Sequence, residues 1–211
     1  MCSIEHKNVK EVYEKIGRHF DKTRFKVWPS VQEFIDTVPE NSIVLDIGCG
    51  NGKNMCRDDV YFIGSDFCQT FANICRSNSK NILIANSKYL PIKSGSIDYV
   101  MCIAMLHHIY LEKDRIQCLK EMIRVLQIGG KLIVTVWAQG EKAQQDNMIP
   151  WKLQKKHKLS EDEPDVYQRY YHLFSDNELL NIIKEHFENK LKVIKYYNDY
   201  NNWIIICQKL S

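Results

Sequence analysis

Leu45-Asp46-Ile47-Gly48-Cys49-Gly50-Asn51-Gly52 decides how this chain is read. The run before it, Ser42-Ile43-Val44-Leu45, is short, apolar and β-branched and reads as a buried strand; Asn51 to Cys56 is expected to start a helix. Gly48, Gly50 and Gly52 then occupy a strand-to-helix bend, where glycine permits positive φ and lets a ligand approach bare backbone and free amides. Asp46, directly before the glycines, is placed to face a cation.

A dinucleotide fold begins with the same strand, GxG and helix, but it needs a small residue at position 53, where this chain has Lys53. The acidic group also precedes the glycines, which suits an ammonium or sulfonium better than a pyrophosphate. The next strand ends in Tyr61-Phe62-Ile63-Gly64-Ser65-Asp66 and so carries a carboxylate at its tip, where a nucleotide ribose offers paired hydroxyls. These features favour S-adenosylmethionine, held by Asp46, Gly48, Cys49, Gly50, Gly52, Asp66 and Phe67.

Composition bounds the rest. The chain has 211 residues, 45% of them apolar and 26% charged, with a net charge of +3. That is one ordinary domain, 1–211, large enough to bury a sizeable core. The longest apolar stretch, Tyr99 to Leu111, is too short to span a membrane and contains His107 and His108. The start, MCSIEHKNVK, lacks the apolar core of a signal peptide. Eight cysteines, Cys2, Cys49, Cys56, Cys68, Cys75, Cys102, Cys118 and Cys207, never form a C-x-x-C pair, so no metal site is expected and buried free thiols are. Free thiols imply a reducing compartment, the cytoplasm with the nucleus as a second location.

Strands are expected at Ile43 to Ile47, Val60 to Ser65, Asn81 to Ala85, Ile97 to Ile103 and Lys131 to Trp137, with helices at 51–56, 68–77 and 112–126 between them. Such alternation means an α/β fold with a parallel sheet covered on both faces. A helix from Asp176 to Phe187 and two strands, Leu191 to Tyr197 and Asn202 to Gln208, close the chain as an antiparallel hairpin. The expected architecture is a class I S-adenosylmethionine-dependent methyltransferase: a Rossmann-like, seven-stranded, mostly parallel sheet with an antiparallel closing strand. Residues 1–40 read as a helical lid and 138–165, rich in Gln, Lys, Glu and Asp, as a flexible insertion. Ligand contacts should gather at the strands' carboxyl ends, which adds Asn86, Ser87 and Ile103 to the cofactor site and brings the methyl acceptor to His107 and His108.

From these motifs the chain resembles the eukaryotic tRNA methyltransferases that esterify a carboxymethyl group on the wobble uridine of the anticodon. The resemblance runs nearly end to end, through VYEKIGRHFDKTRFKVWP, DIGCGNGK, YFIGSD, IAMLHH, VWA, MIPW, RYYHLF and NNW. It implies methyl transfer to a carboxylate, giving a methyl ester of the modified uridine. A carboxylic acid has a reference pKa near ~4, so the nucleophile is already ionised and needs orientation rather than a strong base. Arg24 is the candidate cation for that carboxylate, with a surface salt bridge as the rival account. His107 and His108 are assigned orientation. Trp28, Trp137, Tyr170 and Trp203 are candidates to stack on unpaired bases, with core packing as the rival account of each, and Arg169, His172 and Asn202 from the RYYH and NNW elements join them.

Phosphate contact is expected from Lys22, Arg24 and Lys26 and from the cluster Lys152, Lys155, Lys156 and Lys158, with a solvated loop, its charge balanced by Glu161, Asp162 and Glu163, as the rival account of the second group. The third strand, 81–85, should lie at the sheet edge. The resemblance implies that a small zinc-binding activator subunit pairs along it to form a heterodimer, the zinc belonging to the partner. Against the family pattern, Asn86 stands for Asp, Val27 for Pro, Phe67 for Arg and Asp114 for Arg. A small-molecule methyltransferase and a non-catalytic scaffold are the competing readings.

Overall fold

The structure, a computed structural model, describes every residue except Met1, Cys2, Lys155, His157 and Leu159. The readings placed on Cys2 and Lys155 therefore lie outside the described residues. The chain opens on a short helix, α1 (Ser3–Glu5), which runs through a π-helical stretch, His6–Lys10, into α2 (Glu11–Thr23). Val12, Tyr13, Ile16 and His19 recur at helical spacing and are buried, so one stripe of α2 packs inward. α3 (Pro29–Asp36) starts at a proline after the extended Trp28, where a fixed φ and a missing N–H cost nothing.

Next come β1 (Ile43–Ile47), β2 (Tyr61–Asp66), α4 (Gln69–Ser77), the short β3 (Ile82–Ile84) and β4 (Ile97–Ile103). A 3-10 turn at Leu106–His108 leads to α5 (Glu112–Val125) and β5 (Leu126–Trp137). The remainder is β6 (Asp146–Lys152), β7 (Val166–His172), α6 (Glu178–Phe187), β8 (Leu191–Asp199) and β9 (Asn202–Lys209).

Seven strands form one sheet in the order β3-β2-β1-β4-β5-β9-β8. The first five are parallel, and β9 is antiparallel to both β5 and β8. This is the mostly parallel sheet with an antiparallel closing strand that the alternation predicts, and β3 is its edge. Strand order reverses between β1 and β4, and an open α/β sheet binds ligand in the crevice beyond that switch point.

Helices cover both faces. α5 and α6 pack on Leu45, Ile47, Val100, Cys102, Leu132 and Val134. On the opposite face Val31, Phe34 and Ile35 of α3 pack on Val44, Phe62, Met101 and Ile133. The alternation of side chains along β1 puts Asp46 on the α3 side with Val44.

Two expectations are corrected. No helix starts at Asn51; 51–60 is a loop. Gly52 holds φ +71°, which breaks a right-handed turn, and the sheet face that such a helix would cover is already filled by α3 together with Met55. The segment 138–165 contains β6, which pairs with β7 in a separate antiparallel ribbon from Asp146 opposite His172 to Lys152 opposite Val166. Most of β6 faces solvent, so its polar composition hides the strand.

Candidate active site

The carboxyl ends of β1, β2 and β4 open into one cavity, walled on the far side by the N-terminal helices and by β7. Gly48, Cys49 and Gly50 line it after β1, Asp66 and Phe67 after β2, Asn86 and Ser87 after β3, and Ile103, His107 and His108 after β4. Tyr13, Arg24 and Trp28 reach it from the N-terminal segment, and Trp137, Arg169 and Tyr171 from the strands opposite.

The β1 loop is stitched to β2, since the Gly48 and Cys49 amides donate to the Ser65 carbonyl at 2.7 and 3.1 Å. Gly48 holds φ +68°, and a Cβ there would meet the Met105 side chain at 2.1 Å, so only glycine fits. A Cβ on Gly50 would meet nothing closer than the Phe20 ring at 4.0 Å, which leaves that backbone open to the cavity. The Gly50 and Cys68 amides donate to the two Asp66 oxygens at 3.0 and 2.9 Å. Burial pushes the Asp66 carboxyl up to about 6, against the pull of these amides.

Asp46 lies beneath this loop, wholly buried, with no hydrogen-bond partner on either oxygen. Burial pushes it up to about 7, the neighbouring Asn54 amide only partly offsetting. An S-adenosylmethionine site needs a cradle free of Cβ atoms, acceptors for the ribose diol and a negative field for the sulfonium. Gly50, Asp66 and the orphaned Asp46 carboxylate have those properties. Asn86 lines the same wall, but its side-chain oxygen accepts the Lys88 amide at 3.0 Å, so it also closes the turn.

The opposite wall is aromatic and cationic. His108 Nδ1 faces the Tyr170 carbonyl at 2.8 Å and its Nε2 faces the Tyr13 hydroxyl at 3.0 Å. The first partner is an acceptor only, so Nδ1 carries the proton and the tyrosine donates to Nε2. Both nitrogens are thereby occupied, and burial drops the group to about 3. His107 Nδ1 accepts the Trp137 amide at 3.2 Å, which leaves the proton on Nε2. Burial, followed by His108 and Arg169, holds His107 well below the usual imidazole range. Its ring stacks on Tyr171 at 4.8 Å.

Arg169 is 5% exposed and makes no ion pair among the described residues. Its Nη1 donates to the Tyr171 and Tyr13 hydroxyls at 2.8 and 3.4 Å, and its Nε has no partner. Arg24, on the exposed stretch after α2, likewise meets no carboxylate among the described residues and stands over the Phe20 and Trp151 rings. A buried guanidinium without a counter-ion at a cavity wall is costly unless an anion arrives.

Residues 45–134 match the methyltransferase domain family. Over 98% of its length the chain is 34% identical to the tRNA (carboxymethyluridine(34)-5-O)-methyltransferase of Schizosaccharomyces pombe, and it covers 99% of that protein. The chain belongs to this methyltransferase family. It is also 30% identical, over 99% of its length, to the enzyme of that name from Xenopus tropicalis, of which it spans only 42%. Among solved structures, a methyltransferase from Methanosarcina mazei superposes with a TM-score of 0.70 at 18% identity, covering 88% of this chain and 99% of that one. A Haloferax volcanii methyltransferase, solved in complex with the Trm112 activator, superposes at 0.68 and 14% identity, covering 99% and 98%. At those identities the likeness establishes the fold.

Several expected site residues lie elsewhere in this methyltransferase. Asp46 and Gly52 do not line the cavity; Gly52 turns the loop, its carbonyl bonded by Lys80. Tyr170 and His172 point away from it because side chains alternate along β7. The Tyr170 hydroxyl donates to Asp146, and His172 sits between Asp146 at 3.1 Å and Glu178 at 2.6 Å. Trp203 stacks on Tyr196 at 5.3 Å with its indole N–H on the Phe174 carbonyl. Asn202 lines a second, adjoining groove. In the basic cluster Lys158 is paired with Asp165 at 2.6 Å, whereas Lys152 and Lys156 are exposed. Tyr13 and Tyr171 were not anticipated; in RYYH the alternation that selects Arg169 also selects Tyr171.

Proposed function

We propose that this methyltransferase moves the methyl group of S-adenosylmethionine onto the carboxylate of 5-carboxymethyluridine at the tRNA wobble position. The observation that carries the reading is the buried Arg169 guanidinium, lacking a carboxylate partner, at the wall of the same cavity that holds the glycine loop and Asp66. The name of the relative that matches over nearly its whole length supports the substrate.

When bound, the cofactor supplies an electrophilic methyl on a sulfonium. The chain's residues position the acceptor. A guanidinium grips a carboxylate in fork geometry and stays charged, so Arg169 holds the substrate oxygen pair, with Arg24 closing from the lid. Tyr13 and Tyr171 fix the Arg169 head, and His108 fixes Tyr13 in turn. His107 offers its Nε2–H as a hydrogen-bond donor. No group is needed to remove a proton, and alignment of the reacting atoms in a dry pocket supplies the acceleration, of the order of 7–11 kcal/mol for well-oriented pairs.

Residues 1–40 act as the lid in this reading. Glu5, paired with Lys88 at 3.3 Å and accepting the Tyr110 amide at 3.1 Å, pins the lid to the loops after β3 and β4. Asp114, where the family usually has arginine, completes that cluster at 2.6 Å from Lys88. Exposed Lys22, Lys26, Lys152 and Lys156 supply phosphate contacts. A small zinc-binding activator pairs along β3, an edge strand whose Ile84 is 46% exposed. The complexed Haloferax volcanii relative supports such a partner. The seven described cysteines are all free thiols, which supports a cytoplasmic or nuclear location.

The test is incubation of hypomodified tRNA with labelled cofactor and activator. An alkali-labile methyl ester on the wobble nucleoside, identified by mass spectrometry, is expected. Label on a small organic acid but on no tRNA would replace this reading with the small-molecule one.

A further inference from the structure

Beyond Trp28 and Trp137, which line the main cavity, both residues also line a second groove. Its other wall is the turn between β8 and β9. Tyr200 and Asn201 hold φ of +45° and +60°, so the two central residues are left-handed, as a two-residue hairpin turn of type I′ requires. The turn is secured by the Asn202 amide, which donates to the Asp199 and Tyr200 carbonyls at 3.2 and 3.0 Å, and by the Ala138 amide, which donates to the Asn201 carbonyl at 2.9 Å. It holds the Tyr200 residue 89% exposed beside the groove.

An aromatic ring left in water on a fixed turn buries nothing in the fold. Two residues of the groove wall also carry polar atoms that the fold leaves unused. The Asn202 side-chain oxygen and the Ser30 hydroxyl are buried and have no hydrogen-bond partner, although Ser30 is only 6% exposed. Such atoms cost stability unless a ligand meets them. One is an acceptor and the other can donate or accept, which suits the edge of a planar heterocycle, while the exposed Tyr200 ring offers a face for stacking and Trp28 and Trp137 add apolar wall.

Resting on the reading of the main cavity given above, we propose that this groove seats the nucleobase adjacent to the wobble uridine. Because Trp28 and Trp137 wall both compartments, a base in the groove directly neighbours one in the cavity, as consecutive residues of a splayed single strand do. The carboxylate of Asp199 also lines the groove and disfavours a phosphate there. The occupant is thus a base, with its phosphate toward solvent.

The experiment uses the full chain with its activator and anticodon stem-loops carrying 5-carboxymethyluridine, intact or with an abasic residue on the 5′ or 3′ side of it. Loss of a stacked base should raise KM about tenfold on one of the two abasic loops, with kcat little changed. Tyr200→Asn, which tolerates the left-handed backbone, and Ser30→Ala should raise KM on the intact loop and erase the penalty of that abasic site. Wild-type enzyme indifferent to both abasic sites, or variants that keep the full penalty, would overturn the groove while leaving methyl transfer intact. No transfer to the intact loop would remove the underlying reading and the groove with it.

Discussion

Arg24 and Arg169 share one indole: their guanidinium carbons stand 5.6 and 4.8 Å from the centre of the Trp151 ring. One comes from the end of α2 and the other from β7, so the ribbon packed on the lid sets the pair. Two guanidiniums over one aromatic, with no carboxylate between them among the described residues, have the charge and geometry that the proposed carboxylate substrate requires.

Arg169→Met keeps the apolar stem and removes the charge. It should lower kcat/KM for tRNA by about 10²- to 10³-fold, the range for loss of one charged contact at a reacting oxygen, and leave cofactor affinity within about twofold. Steady-state kinetics with calorimetry of cofactor binding separates the two effects. Equal loss of both would mean that Arg169 supports the fold rather than the substrate.

Neighbouring tyrosines should behave differently. Tyr171→Phe removes the acceptor 2.8 Å from Arg169 and should cost about tenfold in kcat, whereas Tyr170→Phe loses only a contact to Asp146 outside the cavity and should leave kcat near wild type. Parallel assays of the two variants check this, and the reverse order would contradict the assignment of faces on β7.

The pH profile follows from burial. With His108 near 3 and His107 held well below the usual imidazole range, both rings are neutral at neutral pH, so kcat at saturation should show no rising limb near pH 6.5. Cofactor affinity is different. Burial pushes Asp66 up to about 6, and a ribose diol bound there would donate best to the anionic form, so affinity should strengthen as pH rises through that value. Binding isotherms between pH 5 and 8 test the second expectation and single-turnover rates the first.

Asp46 carries a stability penalty whose sign is fixed. Burial pushes its carboxyl in the folded state up to about 7, above the ordinary aspartate value of about 4, so the folded state holds a proton that the unfolded state releases. Stability is therefore lost as pH rises from about 4 to about 7. Asp46→Asn should stabilise the ligand-free protein above pH 7, on the order of 4 kcal/mol at most, and give no gain below pH 4. Urea unfolding at pH 4 and pH 8 measures it, and an equal effect at both would disprove the assignment.

Local chemistry left clear marks in the sequence. The β-branched run 43–47, the glycines that follow, Asp66 at a strand tip and the spacing of α5 and β4 each depend on a few adjacent residues. Sequence therefore displays the sheet, the cofactor cradle and the class of reaction. Cavity residues contributed by distant elements are only partly legible: the sequence motifs point to Arg24, Trp28, Trp137 and Arg169 and not to Tyr13 or Tyr171.

What the sequence by itself determined is the order of the seven sheet strands, the helices α4 to α6 between them, and the glycine loop after β1, because φ preference, apolar periodicity and acidic strand tips act over a handful of residues. Only the tertiary structure decided which members of RYYH and NNW face the cavity. A one-residue alternation in β7 turns Arg169 and Tyr171 inward and Tyr170 and His172 outward. It likewise took the folded sheet to fill the face over β1 with α3, so that the predicted helix after Gly52 never forms and Asp46 is sealed beneath its loop. Burial and the absence of a partner are properties of the whole fold, and those are what single out Arg169 and Asp46.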